Sequence, residues 1–169
     1  MVNENKNITK VCSFYVSDWH LITMLLPHIN KTINERNKVT TILEDDAQEK
    51  VEILLNKIKI ENANNIININ WRKKDVSNIK IEELELEETE DIDNEIIIAG
   101  SIEYINEAND LIEDYVKNND FKGRIKIINC YLAEENLNIK EILNDHRAVL
   151  NTAGERTTKE FMKSINMVK

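Results

Sequence analysis

Lys10–Leu43 reads KVCSFYVSDWHLITMLLPHINKTINERNKVTTIL, and its three parts decide the fold class. Lys10–Val16 is a short apolar run. Ser17 and Asp18 follow, residues of the kind that cap a helix. Leu21, Ile22, Leu25, Leu26, Ile29 and Ile33 then recur at helical spacing. Pro27 stands inside that pattern and is expected to kink it or break its hydrogen-bond ladder. Lys38–Leu43 is β-branched and reads as a strand. The order is strand, helix, strand.

Working outward, the alternation continues. Glu44, Asp45 and Asp46 open a second helix with Val51, Leu54, Leu55 and Ile58 on one face. Asn65–Trp71 (NIININW) alternates with period two and reads as a third strand. Glu95–Ala99 (EIIIA) is a continuous apolar run, as a central parallel strand buried on both faces requires. Ile102–Val116 is helical, and Arg124–Tyr131 (RIKIINCY) is a fifth strand. Ile139, Ile142 and Leu143 belong to a short helix ending near His146, and Arg147–Leu150 is a sixth, short strand. Gly154 punctuates before a last helix carrying Phe161 and Met162. Alternating strands and helices predict one three-layer α/β domain over residues 1–169. Its mainly parallel sheet has five or six strands, with helices on both faces. A ligand is expected at the carboxyl ends of the strands.

Composition narrows the classes. The 169 residues include 41% hydrophobic ones but only 3 glycines and 1 proline, which disfavours a turn-rich all-β protein. The 22 lysines and arginines against 31 acids give a net charge of −9, which disfavours phosphate-backbone binding. No direct nucleic-acid contact is expected. The acidity is concentrated in Glu82, Glu83, Glu85, Glu87, Glu88, Glu90, Asp91, Asp93 and Glu95, with no base between them. That run reads either as a solvated loop held open by repulsion, as a docking surface for a basic partner, or as a metal-attracting lip. No apolar run approaches the roughly 18–20 residues that span a bilayer, and Met1–Lys10 has no leader pattern, so a cytoplasmic protein is expected.

Known mechanisms fit the strand ends poorly. The first strand runs into VSDWHL, without the glycines and lysine of a phosphate-binding loop, and no G-x-G-x-x-G is present. Glu44, Asp45 and Asp46 suit either a magnesium ion or a helix dipole. Cys12 and Cys130 lie in apolar strands, where inert packing competes with a nucleophilic role. His20 and His28 are eight residues apart with no cysteine nearby, a poor zinc spacing.

Two segments resemble the MEDS domain, the sensory domain of methanogen and methylotroph regulators. In Lys10–Leu43 the matching residues are Cys12, Phe14, Tyr15, Asp18, Pro27 and the strand from Val39 to Leu43. In INCYLAEENLNIKEILNDHRAVLNTAG they are Cys130, Tyr131, His146, Val149 and Leu150. The middle, from Ile58 to Asn94, does not match. Where the family often carries a histidine before its first cysteine, this chain has Lys10. The resemblance implies a RecA/KaiC-like fold that has lost its phosphate loop, and a non-enzymatic sensory domain without a cofactor. It would act through a protein partner, a sensor kinase or a transcription regulator. A RecA-like strand order sets the Cys12 strand beside the Cys130 strand. Cys12, Tyr15, Asp18, Cys130, Tyr131 and His146 are then the expected lining of a small-molecule or redox-sensing pocket. Glu82, Glu83, Glu85, Glu87, Glu88, Glu90 and Asp91 are the expected partner surface. The alternatives are a magnesium-dependent nucleotide-binding relative using Asp45 and Asp46, and a ligand-free protein-interaction antagonist.

Overall fold

The computed structural model describes residues 7–134 and 137–167. Residues 1–6, within the segment where no leader is expected, lie outside the described residues. The elements are β1 (Ile8–Tyr15), α1 (Asp18–Asn34), β2 (Lys38–Leu43), α2 (Gln48–Lys57), α3 (Ala63–Ile67), and two 3₁₀ turns at Val76–Asn78 and Ile81–Leu84. Then come β3 (Asp93–Gly100), α4 (Ile102–Asn118), β4 (Arg124–Leu132), α5 (Ile139–Asn144), β5 (Ala148–Asn151), β6 (Gly154–Thr157) and α6 (Thr158–Met167). They form one six-stranded sheet in the order β2-β3-β4-β1-β5-β6. The first five strands run parallel and β6 is antiparallel to β5. The molecule is a three-layer α/β fold. Among the described residues no helix is long and apolar enough to cross a membrane.

The layers follow from period two along each strand, which sends successive side chains to opposite faces. Val11, Leu43, Ile97, Ile128 and Leu150 meet α1, α2 and α3 on one face. Cys12, Ile42, Ile96, Ile98, Ile127 and Val149 meet α4, α5, α6 and the 3₁₀ turns on the other. Ile96, Ile97 and Ile98 have no exposed surface, as the continuous apolar run requires. Burying each contributes roughly 1.5–3 kcal/mol. β1 lies between β4 and β5, so the adjacency of the Cys12 and Cys130 strands is present.

One expectation is overturned and two are refined. NIININW is not a strand: Ala63–Ile67 is helical, and the rest is irregular up to buried Trp71. Ile66 and Ile69 both reach the first core, and the Trp71 indole N–H donates to the Ile66 carbonyl at 2.8 Å, so tertiary packing overrides the alternation. The strand expected over Arg147–Leu150 is present as β5, and a further strand that was not expected, Gly154–Thr157, completes the six; its GERT sequence is polar and mostly exposed because it is the sheet edge. Gly154 turns the hairpin at φ +114°, a conformation that other residues rarely adopt. Finally, α1 continues through Pro27, although the proline, having no N–H, breaks the hydrogen-bond ladder at the Thr23 carbonyl as expected. Pro27 and Thr23 are both exposed.

Candidate functional site

The carboxyl ends of the strands are closed by helix caps. Ser17 Oγ accepts from the His20 N–H at 3.2 Å, and His20 Nδ1 accepts from the Val16 N–H at 3.1 Å. Ser101 caps α4 by accepting from the Tyr104 N–H, while its own N–H donates to Glu44 Oε1 at 2.7 Å. The Tyr104 hydroxyl donates to the Lys74 carbonyl at 2.6 Å, and Lys74 Nζ donates to the Thr41 carbonyl at 2.7 Å. Burial pulls the Lys74 pKa down from its ordinary value. Asp46 Oδ1 accepts from the Gln48 N–H at 3.3 Å, the local role of an acid at a helix start. Tyr15, Asp18 and Asp45 line a gap of about 10 Å³ here. That is room for about one water.

The six residues nominated from sequence divide between the two faces. Tyr15 and Cys130 belong to the core under α1, and Cys12 and Tyr131 to the core under α4. The reason lies in the register. Ser13 is opposite Cys130 and Cys12 is opposite Asn129, so the thiols project from opposite sides of neighbouring strands. Their Cβ vectors diverge, and no disulfide joins them without backbone movement. Burial pushes the Cys12 thiol up to about 12 and also raises that of Cys130. Burial likewise raises both the Tyr15 and Tyr131 phenols.

His146 is the hub of a buried network on the α4 side. Its Nδ1 lies 2.6 Å from the Ile142 carbonyl, and Nε2 lies 3.0 Å from the Asn129 amide nitrogen and 3.5 Å from the Tyr131 hydroxyl. Asn129 and Asn109 exchange amide hydrogen bonds, at 2.8 and 3.3 Å. Tyr131 stacks on Phe14 and meets the His146 ring edge-on. Each polar group is satisfied by a protein partner, as a buried network requires. Asp18 stands apart from it, half-buried at the start of α1 and 3.3 Å from Lys50 Nζ.

The roomier space lies on the α1 face of the sheet. A cleft of about 580 Å³ opens between α1 and the β5–β6 hairpin, over the amino-terminal ends of β3 and β4. That volume falls within the roughly 300–1,000 Å³ typical of small-ligand sites. Met24, Pro27 and Leu150 give it apolar wall, and Thr152 and Ala153 form its hairpin side. Glu95 belongs to its lining and is only 2% exposed. One carboxylate oxygen, Oε1, bonds to His28 Nε2. The other, Oε2, is buried with no hydrogen-bond partner. The surrounding charges are already matched, Lys126 with Glu155 at 2.5 Å and Asp93 with Arg124 at 2.6 Å. A second cleft of about 460 Å³ shares Asp93, Lys126 and Glu155 with the first. None of the six nominated residues lines either cleft.

Sequence reasoning passed over Glu95 as one member of the acidic run and His28 as a failed zinc ligand. The signal was nevertheless there: an acid opening the run EIIIA shares its strand face with Ile97 and Ala99, so it must be buried. The other acids behave differently. Glu82, Glu83, Glu85, Glu87, Glu88, Glu90 and Asp91 are all exposed, while Asp93 and Glu95 already belong to β3. Among the described residues no three histidine, cysteine, aspartate or glutamate side chains converge as a metal cluster. No family model, curated protein or solved structure matches the chain.

Proposed function

We propose that the chain is a non-enzymatic regulatory domain that senses a small ligand in the cleft beneath α1 and signals through a protein partner. The observation that carries this reading is a ligand-sized cleft lined by Glu95, whose buried carboxylate has one oxygen without a hydrogen-bond partner. Buried polar atoms are rarely left unpaired, and the exceptions tend to mark sites of function. A catalytic role finds less support. Burial raises both thiols and the Tyr15 and Tyr131 phenols, the reverse of what an activated nucleophile needs. The MEDS-like reading is supported by the missing phosphate loop and by β1 lying beside β4. The partner, a sensor kinase or transcription regulator, would use a basic surface against the seven exposed acids between Glu82 and Asp91.

Thermal melts of the full chain against a panel of small metabolites test the reading. A ligand at a hundred times its Kd adds about 2.7 kcal/mol. For a chain of this size that raises Tm by roughly 5–10 °C. Ala153→Trp, which sets an indole on the hairpin side of the cleft, is expected to remove the shift while leaving the unliganded Tm close to wild type. A panel with no stabilising member, or a shift that survives Ala153→Trp, defeats the proposal.

A further inference from the structure

We propose that the ligand of this cleft is a small organic cation, whose ammonium or guanidinium group donates to Glu95 Oε2. The inference rests on the ligand-sensing reading above and names the chemistry of the ligand. Three observations converge on it.

The first is the orphaned oxygen itself. Oε1 is bonded to His28, Oε2 has no partner, and a carboxylate only accepts hydrogen bonds, so whatever completes the site must be a donor. The second is that the cations nearby are committed elsewhere. Lys126 sits directly across from Glu95 in the β3–β4 register, yet its ammonium pairs with Glu155 on β6, and Arg124 pairs with Asp93. The third is the charge balance of the lining. Glu35, Asp93 and Glu155 have basic partners in Lys31, Arg124 and Lys126, which leaves Glu95, bonded only to His28, as the acid with spare capacity, and the whole chain carries −9. Such a site favours a positive guest over a neutral or negative one. The donor is a nitrogen cation rather than a metal, because His28 and Glu95 gain no third ligand among the described residues. Met24, Pro27 and Leu150 suit an aliphatic stem behind the charged head.

The experiment titrates the isotope-labelled full chain with agmatine, which carries a guanidinium and an ammonium on a four-carbon stem, and separately with glutarate, an anion of similar length. Amide shifts are followed by NMR. Agmatine is expected to produce saturable shifts at Glu95, Lys126 and Asn151–Glu155, and glutarate none. Glu95→Gln keeps the shape and a partner for His28, and should weaken agmatine at least tenfold. Ala153→Trp supplies a second variant should Glu95→Gln fail to fold, and is expected to block the shifts. Cleft shifts from glutarate alone, or equally from both probes, overturn the cation while sparing a ligand-binding cleft. Agmatine shifts confined to Glu82–Asp91, or undiminished in Glu95→Gln, also overturn it. No cleft shift from either probe overturns this inference, and the ligand-sensing reading then stands or falls by the metabolite panel.

Discussion

Because His146 Nδ1 faces the Ile142 carbonyl at 2.6 Å, that nitrogen carries the ring proton of the neutral imidazole. Nε2 is then the acceptor, filled by the Asn129 amide N–H. A second proton would set the ring's Nε2–H against the Asn129 amide donor. Burial accordingly lowers the His146 pKa; the Ile142 carbonyl opposes that shift, Lys10 adds to it, and Asp145 opposes it. The sign of the pH effect follows. The unfolded chain takes up a proton near the ordinary value of 6.5 while the folded chain resists it, so this contribution to stability is complete above about pH 6.5 and is lost as pH falls below it. His146→Ala should cost about 1–3 kcal/mol at pH 7.5, since the Ile142 carbonyl and Asn129 lose a buried partner. It should also flatten the decline of Tm between pH 7.5 and 5.5. Parallel declines in the two proteins would show that His146 does not titrate in this way.

The segment between the second 3₁₀ turn and β3 shows how an element can be built from charges that repel one another. Asn94, buried at the start of β3, accepts from the Glu87 N–H and donates to the Glu87 carbonyl, both at 2.7 Å, and also donates to the Arg124 carbonyl at 2.9 Å. Gly123 lets the loop lie against β4, for a Cβ there would collide with the Glu87 carbonyl oxygen. Asn94→Ala should therefore cost about 1–3 kcal/mol. Amide exchange should quicken selectively over residues 85–92, and protection there equal to wild type would refute the clamp. None of this is legible from the acidic run, because one side chain's three backbone contacts leave no periodic trace. The same limit explains the other misses. NIININW alternates like a strand, yet the seat beside β2 goes to a single bridge at Lys73. GERT has no apolar phase because it is an edge. What was legible is whatever burial writes into spacing: β1, β2, β3 and β4, the long helices α1 and α4, and the parallel sheet they imply. Glu95 was half legible, its burial fixed by phase and its orphaned oxygen visible only once His28 is in place.

Over the whole molecule, the roomier described cleft lies along a face of the sheet. Ligands of open α/β sheets ordinarily gather at the strand carboxyl ends. Among the described residues, caps from Ser17, Glu44 and Ser101 cover the ends of β1, β2 and β3 around a gap of about 10 Å³, and the cleft of about 580 Å³ runs under α1 from the amino ends of β3 and β4 to the β5–β6 hairpin. Calorimetric titration of the folded chain with magnesium-ATP is therefore expected to give a flat trace. Saturable heat would mean that the capped mouth opens and that Asp45 and Asp46 should be reconsidered as magnesium ligands. The strand order carries a further consequence, for the birth of the protein rather than its mature state. β1 leaves the ribosome before both of its sheet neighbours, since Ile8 pairs with Ile125 and Val11 with Ala148, both more than a hundred residues downstream. At about 5–20 residues per second, synthesis leaves β1 waiting several seconds or longer for either neighbour. The nascent chain thus trails an apolar strand with both edges open, and early translation is when chaperones have the most to shield.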